Sequence, residues 1–512
     1  MTPSDVLAIS HGLPFSDDAA MDEIGRSVLR EITGGLVAGT EWPVPTHRAP
    51  LPDLLVDFMV PQPDWRTPPG VDLAVSAMPL PTREQPPVSY GRFYFLKPSA
   101  PLPITRPCAT TLDVNAVRRD FPILHEQVNG KPLVWLDNGA TTHKPRPVID
   151  AICRFYENDN SNVHRAAHAL AARATEAYEN ARRVVQRFIG ASAPEEIIFT
   201  RGTTESINLA ANSLGSLLLR PGDCILVSML EHHANIVPWQ MIASRTGAKI
   251  MPIPIDETGQ IDLSEYHRLL RGRPKIVALA QVSNVLGTVL PLALMIGPAH
   301  DAGAKVLIDG AQSIAHVPVD VTSLDADLFA FSGHKIYGPT GVGVLYGKRS
   351  LLEEMPPWQG GGNMIDHVSF EGTTFQKPPA KFEAGTPILA GAVGLSSALQ
   401  YLCSLGLPNV FAQEEELLRY ATKLLGDVPG LKILGSAKEK VGVLSFTMVD
   451  VTPDAIGQAL NAAGVAIRVG HHCAQPVLKR YGLDRIARAS LGIYNTHEEI
   501  RKLASVLDTL RG

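Results

Sequence analysis

The chain lacks the features of a secreted or membrane-spanning protein. Its 512 residues include only five cysteines, and none of them forms a CxxC pair. An odd number of cysteines without a CxxC pair argues against a disulfide framework or a cysteine-ligated zinc site, and favours a reducing compartment. There is no run of about 18 apolar residues, so we expect no membrane span. Because no basic segment precedes an apolar one at the N-terminus, we expect no signal peptide and a cytoplasmic location.

A strong excess of charge of either sign is also missing. The formal net charge is -5, with 19% charged and 45% hydrophobic residues. This balance gives no electrostatic case for binding nucleic acid or an anionic membrane. The length allows two or three domains around a large core. The composition is therefore that of an ordinary soluble globular enzyme.

Residues 1–112 differ from the remainder, because they hold 18 of the 41 prolines. Proline at this density blocks helices and sheet interiors and favours extended chain, so we predict a disordered extension. Four apolar stretches interrupt it, and such stretches are typical of docking motifs. A tail without any partner is the alternative. The apolar stretches are residues 6–15, 21–32, 54–60 and 90–95.

From residue 113 onward the pattern is that of a folded α/β protein. Predicted strands alternate with helices up to about residue 346, which predicts a largely parallel sheet flanked by helices. We divide this part into an N-terminal arm over 113–130 that packs with the small domain, and a large domain over 131–386. Residues 387–512 read as a smaller α+β domain. Ligands in such sheets lie beyond the carboxyl ends of the strands.

The most informative stretch follows a strand predicted over residues 326–331. It reads Ser332-Gly333-His334-Lys335. In a partly dry pocket, desolvation lowers the pKa of a lysine and makes its amine a nucleophile towards carbonyls. A solvated loop lysine is the alternative. Asp309 ends a neighbouring strand, and this pair suits pyridoxal phosphate: the carboxylate pairs with the ring nitrogen, and the lysine holds the aldehyde as a Schiff base.

Other polar clusters follow predicted strands. Thr203 and Thr204 open a helix, whose free N–H groups and dipole suit a phosphate. His232 and His233 invite a metal hypothesis, but sequence neighbours rarely point at one ion and no third ligand is evident. We therefore expect no metal and favour a ring stacked on a planar cofactor. Asn284 offers an amide to a phenolic oxygen.

The last cluster surrounds Cys473. This cysteine follows His471 and His472 and lies near arginines, so we expect more thiolate than in a buried structural cysteine. A packing role for the cysteine stays open on these grounds alone. Arg488 could bind a substrate carboxylate through its two-pronged fork.

Together these motifs resemble the SufS-type, group II cysteine desulfurases, which belong to the class V aminotransferase-like branch of fold-type I pyridoxal phosphate enzymes. The resemblance runs from about Asp113 to Gly512. One departure is Gly139, where the family commonly has alanine. The motifs are WLDNGATT (135–142), NVHR (162–165), TRGTTE (200–205), EHHAN (231–235), DGAQ (309–312), SGHK (332–335), FEAGTP (382–387) and RVGHHCA (468–474).

The resemblance implies a role for each candidate. Lys335 is the Schiff-base lysine, Asp309 pairs with the ring nitrogen, and Cys473 is the nucleophile. It further implies that His232 stacks on the ring, that Asn284 and Gln312 contact its phenolic oxygen, and that Thr203, Thr204, Ser332 and His334 hold the phosphate. Thr386 is expected to reach the phosphate of a partner subunit in a homodimer. Arg488 with Asn284 is expected to anchor the substrate carboxylate, and Arg468, His164 and Glu205 are expected to surround Cys473.

The implied reaction converts L-cysteine to L-alanine and leaves a persulfide on Cys473, for iron–sulfur cluster supply or sulfur storage. The short interval between Arg468 and Arg488 resembles the compact loop of group II enzymes, which calls for a sulfur-acceptor protein of SufE or SufU type. Selenocysteine lyase is the enzymatic alternative, while a plain transaminase would not need Cys473. A non-catalytic scaffold or cargo protein that retains the fold is the alternative of another class.

Residues 1–112 have no counterpart in the usual SufS-type chain. They resemble the extension of desulfurases packaged as cargo in family 2 encapsulin shells. The resemblance implies that the apolar stretches dock on the inner wall of a nanocompartment while the prolines keep the tether extended. A regulatory tail and an acceptor-docking arm are the alternatives.

Overall fold

The structure is a computed structural model that describes residues 112–163 and 168–510. The four apolar stretches of the N-terminal tract and His164 lie outside the described residues. The helices are α1 Val114–Arg119, α2 Arg146–Arg154, α3 Ala169–Phe188, α4 Thr203–Leu218, α5 Val237–Thr246, α6 Leu263–Leu270, α7 Leu292–Asp301, α8 Val321–Leu324, α9 Arg349–Glu354, α10 Leu389–Leu405, α11 Leu407–Gly426, α12 Pro453–Ala462, α13 Gln475–Arg480 and α14 His497–Thr509.

The strands form one large sheet and one smaller sheet, together with two-stranded pairs. They are β1 Gln127–Val128, β2 Lys131–Pro132, β3 Val134–Trp135, β4 Ile197–Thr200, β5 Cys224–Ser228, β6 Lys249–Ile253, β7 Ile276–Ala280, β8 Lys305–Asp309, β9 Leu328–Ser332, β10 Gly343–Gly347, β11 Ile365–Val368, β12 Thr373–Phe375, β13 Leu431–Leu434, β14 Val443–Met448, β15 Val465–Ala466, β16 Arg468–Gly470 and β17 Ile486–Ser490.

The large sheet has seven strands in the order β4-β10-β9-β8-β7-β5-β6. Only β10 runs against its neighbours, pairing antiparallel with both β4 and β9. The other pairings are parallel. The prediction of a mainly parallel α/β fold is confirmed, and the carboxyl ends of β7, β8 and β9 lie at one edge.

Strand β9 shows why the sheet is buried on both faces. Its side chains alternate, so that Phe329 and Phe331 join one hydrophobic cluster, whereas Leu328 and Ala330 join the cluster on the opposite face. A strand covered on both faces reads as a continuous apolar run, as this one does. The strand extends to Ser332, one residue beyond the predicted end, because Ser332 pairs with Gly343 of β10.

The smaller sheet has the order β13-β14-β17-β16 and is antiparallel. It packs with helices α11, α12 and α14 around a hydrophobic cluster of its own. The arm that starts at α1 contacts this part of the chain, where the Arg118 guanidinium lies 2.8 Å from Glu499 Oε1. Residue 137 also forms a bridge with Ser490 of β17. Arg118 and Asp137, both before the first strand of the large sheet, therefore contact the part of the chain that holds the smaller sheet.

Helix α10 packs against α2 and α3, beside the large sheet. The boundary drawn at residue 386 thus precedes a helix that contacts both parts, and the division at that residue stays a prediction. Among the described residues no single helix is long and apolar enough to cross a membrane. One pair bent by 79°, α10 with α11, reaches that length and composition only when both helices are taken together.

Candidate active site

A cavity of about 220 Å³ opens at the carboxyl edge of the large sheet, where the smaller sheet faces it. Its wall combines the ends of several parallel strands with the loop after β16. Of the residues singled out from the sequence, those that line it are Thr203, Thr204, His232, Asn284, Asp309, Gln312, Ser332, His334, Lys335, Arg468, Cys473 and Arg488.

Lys335 lies in a short turn directly after β9. The surrounding protein lowers the pKa of Lys335 to about 8, chiefly by desolvation, while Asp309 opposes that shift. Asp309 ends β8 and is only 5% exposed, and burial raises its pKa. Its Oδ1 accepts a hydrogen bond of 2.9 Å from the Ala311 N–H. A buried carboxylate of this kind needs a cationic partner, which a protonated ring nitrogen would be.

His232 follows β5 and lines the same cavity. Burial, together with the charges of Lys335 and Arg488, lowers its pKa to about 3, so the ring is neutral. Its Nδ1 accepts a 3.0 Å hydrogen bond from the Ala234 N–H. A neutral imidazole held by its own loop suits stacking on a planar group.

Glu231, directly before His232, was not singled out from the sequence. It is fully buried, and its carboxyl group accepts 2.7 Å hydrogen bonds from the Ala280 N–H of β7 and from Asn235 Nδ2. It also contacts the Ser228 hydroxyl. Burial raises the pKa of Glu231 to about 8. This side chain ties the loop that carries His232 to the sheet.

The start of α4 meets the end of β9 at one side of the cavity. The Thr203 N–H donates to Ser332 Oγ at 2.8 Å, and the two hydroxyls lie 2.7 Å apart. Strand β10 passes so close that a Cβ on Gly343 would lie 2.4 Å from Gly202 Cα. His334 lies next to this group, and burial lowers its pKa to about 4. Hydroxyls and free N–H groups at a helix N-terminus are suited to a phosphate.

Cys473 reaches the cavity on an unusual piece of backbone. His472 and Cys473 both adopt positive φ angles, +51° and +54°. Such a conformation costs on the order of 1–3 kcal/mol per residue and persists only where neighbours hold it. The His233 N–H donates to the Cys473 carbonyl at 2.8 Å, and Asn284 Nδ2 donates to the His472 carbonyl at 2.8 Å. The large domain thus holds the cysteine loop in place.

Arg488 lies in β17 and is only 2% exposed. Its guanidinium lies 3.2 Å from Asp137 Oδ1 and donates to the Asn284 carbonyl at 2.8 Å. The other oxygen of Asp137 lies 3.2 Å from Arg468 Nε. Two arginines therefore share one carboxylate, which leaves a single excess positive charge. Arg488 Nε is buried and has no hydrogen-bond partner among the described residues.

Gly139, the departure noted above, lies against this arginine. A Cβ at this position would lie 3.3 Å from the guanidinium carbon of Arg488 and from Ser490 Oγ. Glycine therefore leaves slightly more room beside the guanidinium than alanine would. The Gly139 carbonyl accepts a 2.7 Å hydrogen bond from Gln312 Nε2, which fixes the amide of that side chain.

Two of the expected site residues that the structure describes, Glu205 and Thr386, do not line the cavity. Glu205 instead accepts a 2.6 Å hydrogen bond from the Arg201 N–H and lies 3.2 Å from Arg201 Nε. Thr386 is exposed, and its contact with a partner subunit stays a prediction. His164 lies outside the described residues. Asp137 and Glu231 are the residues that sequence reasoning missed, although both stand inside recognised motifs.

The chain belongs to the class-V aminotransferase family, whose model matches residues 134–503. Within that family it is similar to cysteine desulfurases. It is 56% identical over 399 residues to a cysteine desulfurase from Synechococcus elongatus, a match that covers 78% of this chain and 64% of that protein. A match to a probable cysteine desulfurase from Mycolicibacterium paratuberculosis has 52% identity over 468 residues and covers 91% of this chain and 67% of that protein. The chain thus spans only about two thirds of the length of these two relatives.

A solved structure agrees with these matches. The cysteine desulfurase CsdA from Escherichia coli, crystallised in an S-sulfonic acid form, superposes with a TM-score of 0.73 at 42% identity. The superposition covers 78% of this chain and 98% of that one. Proteins of this family use pyridoxal phosphate as their cofactor.

The residues that line the cavity fit pyridoxal phosphate. The cavity supplies a desolvated lysine, a buried carboxylate, a neutral imidazole and a helix N-terminus with hydroxyls, which are the partners of an aldehyde, a ring nitrogen, a ring face and a phosphate. Asn284 Oδ1 is also buried without a hydrogen-bond partner among the described residues, as expected where a polar ligand group would complete the site.

Proposed function

We propose that this chain is a pyridoxal phosphate-dependent cysteine desulfurase of the SufS-type, group II, which converts L-cysteine to L-alanine. The observation that carries the proposal is that one cavity receives both a desolvated lysine from the large sheet and a cysteine from the smaller domain. A transaminase would need the lysine but not the cysteine. The similarity to proteins named cysteine desulfurase at 49–56% identity supports the same activity.

Substrate binding follows from the charges. Arg468 and Arg488 share the Asp137 carboxylate, so the group has room for one more carboxylate. The unpaired Nε of Arg488 offers a charge-assisted hydrogen bond to it. This contact would hold the amino acid with its α-carbon towards Lys335 and its side chain towards Cys473.

Proton transfer falls to Lys335. Pyridoxal phosphate, when bound, supplies an electron sink that makes the α-proton of the amino acid acidic. An amine whose pKa is lowered to about 8 can both take up and release a proton near neutral pH. Asp309 would keep the ring nitrogen protonated, because its carboxylate is buried and a protonated ring nitrogen would supply a cationic partner.

Sulfur transfer falls to Cys473. Its thiolate would attack the sulfur of the substrate, forming a sulfur–sulfur bond while the carbon–sulfur bond of the substrate breaks. The electron pair of the broken bond takes up a proton at carbon, which gives alanine and leaves a persulfide on Cys473. The reaction balances without any external oxidant, since one thiol and L-cysteine become one persulfide and L-alanine.

The loop that carries Cys473 supports the group II assignment. It is short, between β16 and α13, and two hydrogen bonds from the large domain restrain its backbone. A restrained thiol cannot swing far to reach an acceptor. We therefore expect a separate acceptor protein of SufE or SufU type to approach the persulfide.

The test is to incubate the purified protein with L-cysteine, with and without reductant, and to quantify alanine and released sulfur. We expect equal amounts of both under reducing conditions, and faster turnover when a SufE- or SufU-type acceptor is present. L-selenocysteine serves as the comparison substrate, because a much higher rate on it would make the protein a selenocysteine lyase. No alanine from either substrate would contradict the proposal.

We further infer that residues 1–112 load the enzyme into an encapsulin shell in the cytoplasm, where the sulfur serves storage or iron–sulfur cluster assembly. The proline density and the apolar stretches support this role, because several weak motifs on one tether gain avidity against repeated sites. Since residues 1–112 are more than a fifth of the chain, the match that covers 91% of it must include part of this tract. Co-expression with the matching shell protein tests it: full-length protein should enter the particles and protein without residues 1–112 should stay outside.

A further inference from the structure

The carbonyl oxygen of His334, directly before Lys335, is surrounded by four donors. Thr142 supplies two of them, its N–H at 2.9 Å and its hydroxyl at 3.0 Å. The Thr141 hydroxyl lies at 3.2 Å and Lys144 Nζ at 3.5 Å. A carbonyl oxygen has two lone pairs, so this set of donors is unusually dense.

The same hydroxyl of Thr142 also binds on the other side of the lysine. It accepts a 2.8 Å hydrogen bond from the Tyr337 N–H. Tyr337 has a φ of +63°, a conformation that a tyrosine holds only when its neighbours enforce it. One side chain thus fixes the peptide before Lys335 and the backbone two residues after it.

Lys144 belongs to the same arrangement. Its amine contacts the Thr142 carbonyl and lies 3.5 Å from Thr141 Oγ1. Among the described residues it forms no ion pair with a carboxylate, so its contacts are with oxygen atoms of these two loops. The amine is partly buried, and desolvation lowers its pKa to about 8. A lysine placed in this way acts as a cross-link between loops.

The opposite end of this segment is anchored beside the substrate arginine. The Gly139 N–H donates to Ser490 Oγ at 2.8 Å, and Asn138 Nδ2 donates to the Ser490 carbonyl at 2.8 Å. Asp137 pairs with Arg488. The segment 137–144 therefore connects the carboxylate anchor to the lysine turn.

We propose that Thr141, Thr142 and Lys144 form a carbonyl clamp that positions Lys335 by fixing the peptide between His334 and Lys335. None of the three touches the reacting atoms, so they are positioning residues. The expected effect on turnover rests on the proposed desulfurase function. The expected effect on the reaction of Lys335 with pyridoxal phosphate does not.

The test compares Thr142→Val with Thr142→Ser. Valine keeps the shape but removes the hydroxyl, so the lysine turn should relax. Misplacement by about 1 Å can cost roughly a hundredfold in rate, so we expect Thr142→Val to capture pyridoxal phosphate about ten- to a hundredfold more slowly than the wild type. Serine restores the hydroxyl and should restore the rate to within about threefold. Visible absorbance follows capture, and borohydride reduction with peptide mass identifies Lys335 as the site.

Turnover gives a second readout. In Thr142→Val the kcat for L-cysteine should fall by a similar factor while KM changes by less than about threefold, because Arg488 is untouched. Thr322→Val is the control, since it removes a hydroxyl that donates to the Gly190 carbonyl at 2.7 Å at an exposed position outside the cavity lining. It should leave both the capture rate and kcat unchanged.

Lys144→Met, which keeps the apolar stem, provides a variant that does not depend on Thr142. We expect it to slow capture by about three- to tenfold. Equal rates for the valine and serine variants, or a loss in Thr142→Val no larger than in Thr322→Val, would overturn the clamp. If wild-type protein captures pyridoxal phosphate at Lys335 but forms no alanine, the proposed function fails and the clamp is still judged by capture.

Discussion

Lys335 and Cys473 face one cavity, but the fold presents them in opposite ways. Lys335 follows β9 in the interior of the seven-stranded sheet, where both faces are packed and the residue before it is clamped. Cys473 stands on a short loop of the smaller domain, with two successive residues in a left-handed conformation. Both side chains are partly exposed, but desolvation lowers the pKa of the Lys335 amine, whereas the backbone of Cys473 is strained.

The proposed function accounts for this contrast. An amine becomes a nucleophile near neutral pH only where desolvation lowers its pKa, so it belongs at the end of a buried strand. In the proposed function the cysteine passes sulfur to another protein, so it must stay within reach of solvent and belongs on a loop. The left-handed backbone is costly, and hydrogen bonds from His233 and Asn284 make it persist.

The largest expected effect comes from removing the amine of Lys335. Lys335→Ala should lower alanine formation by about a thousandfold or more, because both cofactor attachment and proton transfer are lost. The protein should still fold, and its visible absorbance with pyridoxal phosphate should differ from that of the wild type. Wild-type turnover in this variant would refute the role of Lys335.

Removing the Cys473 thiol should fail in a different manner. Cys473→Ala should bind pyridoxal phosphate and L-cysteine as the wild type does, yet form no persulfide, because only sulfur abstraction is lost. Mass spectrometry of protein treated with L-cysteine measures the persulfide. A persulfide found on Cys153, Cys224 or Cys403 in active wild-type protein, with none on Cys473, would contradict the assignment.

Substitution of Arg488, the proposed anchor of the substrate carboxylate, should have an intermediate effect. Arg488→Ala removes a charge-assisted contact of about 1.5–3 kcal/mol, so KM for L-cysteine should rise roughly ten- to a hundredfold. Arg488→Lys keeps the charge but loses the fork, and its KM should fall between the two. Steady-state kinetics at saturating cofactor give these values. An unchanged KM in Arg488→Ala would place the substrate carboxylate elsewhere.

The carboxyl ends of parallel strands could be foreseen to meet, so the sequence was sufficient to group Asp309 with Lys335. The same reasoning could not find the pairing of Asp137 with Arg488, because these residues stand 351 positions apart in the chain. The buried role of Glu231 could not be predicted from the sequence for another reason. A glutamate reads as a solvated residue, and only the packed structure shows that Ala280 and Asn235 satisfy its oxygens.

The pH dependence of cofactor capture should sharpen the contrast further. Since the pKa of Lys335 is lowered to about 8, its free amine falls about tenfold for each pH unit below that value. The rate at which cofactor-free protein captures pyridoxal phosphate should therefore rise with pH and level off above about 8. Lys144→Met should keep this midpoint, although Lys144 itself has a pKa of about 8. A midpoint near 10 would show that Lys335 is solvated.

The smallest effect on catalysis should come from deleting residues 1–112. Every residue that lines the cavity lies between Gly139 and Arg488, and the segment from residue 113 contacts the smaller domain through Arg118. A chain that begins at residue 113 should therefore keep kcat and KM for L-cysteine within about twofold.

The comparison must be made in the presence of the SufE- or SufU-type acceptor as well, because a role of the tract in docking the acceptor would be detected only there. If acceptor-stimulated turnover falls while the basal rate holds, the tract serves sulfur delivery. If both rates hold and only entry into encapsulin particles is lost, the tract acts as a tether and the two catalytic regions work without it.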